Sequence, residues 1–216
     1  MSYKDFLSLF VGKTSDELIS EVVLANENKI KKGSEIGWVL SPTMPIPEYY
    51  KIVAMDDISR GFYDYYENNF SAVINYVESK SSLLNKFLRS MVMEAIWAYK
   101  EDKLLICIPA LFAVIEGALV HISNSGNKEK TRYWYGANNA ARESGSGQIA
   151  LPLLTLSHFL ACTFQPSKFN EGPLAIINRH WSQHGRYESS PPKESVMQLL
   201  SAVAVILWVF ELKNNA

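Results

Sequence analysis

The chain has 216 residues, 48% of them hydrophobic and 20% charged, with a formal net charge of -1 at pH 7. That length and apolar content can fill a core without help, and the near-neutral balance excludes a global basic field drawing the protein to nucleic acid or membrane. Any polyanion site must be local.

The opening segment, MSYKDFLSLFVGKTSDE, lacks the apolar run and small-residue cleavage site of a secretory signal. Residues 1–45 read as a short irregular N-terminal extension: a weakly amphipathic stretch from Ser15 to Lys31, then the turn-rich GSEIGWVLSPTMPIP, where Pro42, Pro45 and Pro47 forbid a continuous helix. From residue 46 onward apolar residues recur three and four apart, which predicts helices over EYYKIVAMDDIS, Phe62 to Glu78 and Ser82 to Lys100. The last of these carries a stripe of Leu83, Leu84, Phe87, Leu88, Met91, Val92, Ala95, Ile96 and Tyr99, read as one core-facing surface. The tyrosines and phenylalanine of the second, Tyr63, Tyr65, Tyr66, Phe70 and Tyr76, read as core and interface.

Leu104 to Ile122 is apolar almost all round, as a central helix is, with Pro109 requiring either a start near Ile108 or a kink. Glu116 is its sole ionisable residue before Val120. Residues 123–148 are dense in Gly, Ser and Asn and read as a long connection without periodicity. Helices are predicted again over Ile149 to Phe164, Phe169 to about Gln183, and Pro192 to Lys213. The run LLSAVAVILWVF within the last is too short to cross a bilayer and reads as core. No strand pattern with a tight turn occurs, so the fold class is all-α: an N-terminal extension, 1–45, and a helical bundle, 46–216. Cys107 and Cys162 lie in apolar stretches and read as reduced, buried thiols of a cytoplasmic protein.

Half of the four histidines fall in NRHWSQHG, residues 178–185. On a regular helix Arg179 and His184 stand about 140° apart, so they share a face only if the last turn loosens, as Gly185 allows. A helix C-terminus favours protonated imidazole. Two readings stay open on these residues alone: cationic side chains capping the last carbonyls, or a site that binds and cleaves a phosphate ester.

The spacing Arg179-His180-Trp181-Ser182-Gln183-His184 resembles the Arg-x(4-6)-His signature of the HEPN superfamily (higher eukaryotes and prokaryotes nucleotide-binding domains), in which Asn, Asp or His follows the arginine. The phrase INRHWSQHGRY, together with GWVLSPTMPIP and IPALFAVIEGALV upstream, resembles uncharacterised bacterial and prophage HEPN-like proteins over residues 37–212. What the resemblance implies is a HEPN-like helical bundle acting as a metal-independent endoribonuclease, a toxin or phage-defence factor working as a homodimer, with a neutralising partner protein in some settings. It equally admits a non-catalytic scaffold that binds nucleotide, RNA or protein.

The chemistry suits these residue types. His184 can move a proton to or from the ribose 2′-oxygen or the leaving 5′-oxygen, and Arg179 can fork two donors onto the phosphate. His180 is expected as an auxiliary polar contact. Tyr187 stands at His-x-x-Tyr where some toxin members have His-x-Tyr, so no role is carried over to it. A carboxylate alone in an apolar helix needs a partner, so Glu116 is expected to contact Arg179 or His180 and orient the motif; the alternative is that it faces solvent through a gap. Arg132 and Trp134, within KEKTRYWYG, are expected to attract phosphate and stack on bases, unless this is a plain surface loop, and Asn178 is counted with them as an RNA contact. His121 and His158 stand singly in apolar helices and read as core histidines. The four histidines have no metal-ligand spacing and no phosphate-loop or nucleophile-elbow motif occurs, so neither metal nor cofactor is expected.

Overall fold

Capping side chains such as Asp57, Asn85 and Asn178 set where several helices begin, and the apolar stripes set how they pack. The computed structural model describes residues 23–25, 27–123, 133–143, 146–168 and 176–215, and among these there is no strand. In chain order the helices are α1 (Glu27–Glu35), α2 (Ile46–Val53), α3 (Ile58–Lys80), α4 (Lys86–Lys100), α5 (Leu104–Ser123), α6 (Tyr133–Glu143), α7 (Gly147–Thr163), α8 (Arg179–Gln183) and α9 (Lys193–Asn215). The fold is all-α.

Helix α9 packs on α5 and α3, α4 packs on α5, and α7 packs on α1 and α6. The window Lys193–Leu212 of α9 is long and apolar enough to span a bilayer, but 78% of it is buried by the other helices, which makes it the core rod of this bundle. Helix α5 runs from Leu104 with Pro109 inside it, so of the two readings of that proline, a start near Ile108 or a kink, the start near Ile108 does not hold.

Residues 27–45 are built into the same core. Trp38, fully buried, stacks between Phe62 (centroids 5.7 Å apart) and Tyr66 (4.8 Å) of α3. The Leu40 N–H donates to Thr155 Oγ1 at 3.0 Å, and Ser34 Oγ donates to the Thr155 carbonyl at 3.0 Å, tying this segment to α7. The turn before Trp38 needs Gly37 at φ +96°, where the Gln198 side chain also leaves no room for a Cβ.

Four expectations are corrected. The helix predicted from Ser82 begins at Lys86, because Asn85 caps it by accepting the Leu88 N–H. Phe87, placed in the core stripe, is 72% exposed; it points outward in the first turn, while Leu88, Val92, Ala95, Ile96 and Tyr99 are buried as expected. Residues 133–143, read as part of a connection, form α6. Its alanine content supports a helix, and Arg142 both donates to Asn138 one turn back (2.7 Å) and pairs with Glu27 of α1 (2.8 Å). Of the helix predicted over Phe169 to about Gln183, residues 169–175 lie outside the described residues, 176–178 are not helical, and Arg179–Gln183 form α8, whose start is set by Asn178 in extended conformation.

Candidate functional site

Helix α8 is one turn long, too short to hold itself by backbone bonds alone. Side chains at both ends hold it. At the N-terminus Asn178 Oδ1 accepts the Trp181 N–H at 3.2 Å and Asn178 Nδ2 donates to the Gln165 carbonyl at 3.1 Å. At the C-terminus the chain reverses through Gly185 at φ +60°, with the Arg186 N–H donating back to the Trp181 carbonyl at 2.9 Å and the Gly185 N–H to the Ser182 carbonyl at 3.2 Å. His184 is the cap residue: its N–H still donates to the His180 carbonyl at 3.2 Å, as in a regular helix, and the left-handed Gly185 follows it.

Arg179 points across to α5. Its Nε donates to Glu116 Oε2 at 3.1 Å and its Nη2 to Oε1 and Oε2 at 3.1 and 2.8 Å, a two-pronged ion pair with both side chains about one-third exposed (30% and 32%). Glu116 thus has the partner that a lone carboxylate in an apolar helix demands. The rings of His180 and His184 lie 5.9 Å apart, tilted by 46°, on the same side of the turn. His180 is half-buried and His184 exposed. Burial first, and then the positive charges of Arg179, His184 and Arg186, hold the His180 imidazole below its ordinary pKa, with Glu116 opposing.

A platform supports the motif from behind. Trp181 is buried, its Nε1 donates to Ser167 Oγ at 2.9 Å, and the Arg186 guanidinium lies 4.1 Å over its ring while donating to the Lys168 carbonyl at 2.7 Å. The Tyr187 ring packs against Trp181 (5.8 Å), and its hydroxyl accepts the Asn178 N–H at 2.8 Å.

The structure therefore brings together Arg179, Glu116, His180 and His184. Asn178 is corrected: fully buried, with both side-chain polar atoms engaged within the chain, it is a helix cap with no surface to offer RNA. Arg132 and the side chains of Trp134 and His121 lie outside the described residues. His158 is not surrounded by apolar groups alone, since its Nε2 lies 3.5 Å from Glu27 Oε1 beside Arg142. Sequence reasoning missed Tyr187 and the Gln165 to Lys168 platform; the available signal was that the turn at Gly185 sends the chain back toward Asn178.

The sequence matches no protein-family model, no curated protein and no solved structure.

Proposed function

We propose that this chain is a metal-independent endoribonuclease of the HEPN type, cytoplasmic, acting in phage defence or as a toxin whose activity a partner protein neutralises. The observation that carries the reading is that one short helix and its cap carry Arg179, His180 and His184, with the two imidazoles 5.9 Å apart and the arginine oriented by Glu116. Arg179 holds the scissile phosphate with the guanidinium edge not engaged by Glu116. His184, the most accessible of the three, moves the proton between the 2′-hydroxyl and the leaving 5′-oxygen, and His180 supplies a second polar contact. Attack of the 2′-oxygen on phosphorus with departure of the 5′-oxygen leaves a 2′,3′-cyclic phosphate and a 5′-hydroxyl. The two free cysteines, Cys107 buried and Cys162 partly so, suit a reducing compartment.

The reading includes a homodimer. Ile106 and Val120 are exposed on α5, and between them Ala110, Ala113 and Gly117 follow at helical spacing, with Glu116 alongside. Phe87 and Trp97 of α4 are exposed as well, 72% and 52%. A second copy on this face covers apolar surface that water otherwise meets, and sets two Arg-His motifs near one another.

One observation favours the rival, a non-catalytic RNA-binding or protein-binding scaffold: Arg179 already commits Nε and Nη2 to a carboxylate. Incubation of purified protein with RNA in EDTA, wild type beside H184A, separates the two. Cleavage lost in the variant supports the nuclease; intact RNA in both tubes refutes it for that substrate, and equal cutting in both exposes a contaminant.

A further inference from the structure

In a capping box the N-cap side chain accepts the N–H of the third helical residue, and the side chain of that third residue accepts the N–H of the N-cap in return. Helix α8 has only the first half from its own residues. Asn178 accepts the Trp181 N–H, but Trp181, the third residue, is an indole with no acceptor to give back. The Asn178 N–H is buried, so without an acceptor it would be left without a hydrogen bond. Tyr187 supplies the missing oxygen from beyond the other end of the helix, at 2.8 Å. Its ring is anchored against Trp181 and the core, and burial raises its pKa, so the phenol stays protonated and neutral.

We propose that Tyr187 is a positioning residue for the Arg179, His180 and His184 cluster: its hydroxyl closes residues 178–187 into a ring and thereby fixes the spacing of the three side chains. Every polar group of Asn178 is then engaged. Its N–H goes to Tyr187, its carbonyl accepts the Ser182 N–H at 3.0 Å, and its side chain bonds Trp181 and Gln165. Arg179 and His180 follow directly from this anchored point, and His184 immediately precedes the glycine turn that carries the chain back to it. The Asn178 cap and the Gly185 turn each hold one end of this one-turn helix, and the Tyr187 hydroxyl adds a bond that ties the two ends to each other.

The proposal rests on the ribonuclease reading only for its RNA arm. The test is Tyr187→Phe, which removes one oxygen and keeps the ring. With histidine-labelled and amide-labelled protein, the Asn178 amide is expected to exchange about tenfold faster in Y187F. The His180 and His184 ring resonances and their mutual ring contact should shift while His158 stays fixed. Against RNA, kcat should fall by about tenfold or more with KM little changed, as misplacement of catalytic groups does. Unchanged Asn178 exchange and unchanged imidazole resonances in Y187F overturn the proposal, because a purely packing role for the ring would leave both as they were. Should Y187F fail to fold, the wild-type amide decides: Asn178 exchanging as an unprotected amide refutes the closure, and slow exchange supports it. Wild type that cuts no RNA refutes the ribonuclease reading alone, and the exchange and imidazole data still decide the role of Tyr187.

Discussion

Removing Glu116 is the perturbation whose size the structure defines most closely. Three N–O contacts of 2.8 to 3.1 Å join its carboxylate to Arg179, and the two side chains are 32% and 30% exposed. Fully exposed pairs couple by about 0 to 1 kcal/mol and breaking buried ones costs about 3 to 5, so a pair one-third exposed should couple by about 1 to 2 kcal/mol after solvent screening. With a urea slope of about 2 to 3 kcal/mol/M, Glu116→Ala should lower the midpoint by about 0.5 M without changing the slope. A double-mutant cycle of E116A and R179A isolates the coupling, since each single variant also removes packing. Coupling within about 0.3 kcal/mol of zero, the additivity error of such cycles, would refute the argument that α5 orients the motif through this carboxylate. E116Q, which keeps shape and one acceptor but not the charge, should retain the fold and reduce any RNA cleavage; unchanged folding with unchanged cleavage removes Glu116 from the site.

Other consequences follow from the same geometry. Gly185→Ala places a Cβ at φ +60°, and since nothing lies within 4 Å of it the whole effect is backbone strain; thermal unfolding should register a loss of about 1 kcal/mol, with G185N milder, and an unchanged melting temperature would contradict the left-handed turn. Phe87→Glu with Trp97→Glu should convert the proposed dimer to monomer in sedimentation velocity with helicity retained, whereas an unchanged sedimentation coefficient would place any association elsewhere. Burial chiefly lowers the His158 pKa from 6.5, with Lys31 and Arg142 adding to that and Glu27 and Glu35 opposing it. The folded state then binds the proton less readily than the unfolded chain, so this stabilising contribution is fully present above pH 6.5 and is lost as pH falls through the lowered folded value. Denaturation curves of wild type and H158Q should therefore diverge just below pH 6.5, and parallel acid limbs would refute this.

Much of the architecture is legible because some segments admit only one environment. An apolar-all-round helix such as α5 or α9 has to be central, and a single carboxylate in α5 calls for a cation, which points Glu116 to Arg179 or His180; the fold decides for Arg179. Phe87 was not legible: a residue in the first turn of α4 can satisfy a wide periodic stripe and still point away from the bundle, and only the position of the Asn85 cap fixes its direction. Helix α6 hid among Gly and Asn because part of what holds it is tertiary, the Arg142 to Glu27 pair and the contact with α7. At the site, residue types pointed to Arg179, His180 and His184, but Asn178 looked like a surface polar group since capping and RNA contact use the same amide. Tyr187 was invisible for a related reason: its role is to accept a backbone N–H nine residues earlier, and no side-chain motif encodes that bond.

The ribonuclease reading is tested most directly by the rate at which purified protein cleaves a labelled RNA oligonucleotide in EDTA, compared across wild type, H184A and R179A. Wild type should cut and leave 2′,3′-cyclic phosphate ends, with each variant slower by about 10² to 10⁴-fold at unchanged helicity. Cleavage that wild type lacks, or that survives equally in both variants, would contradict it.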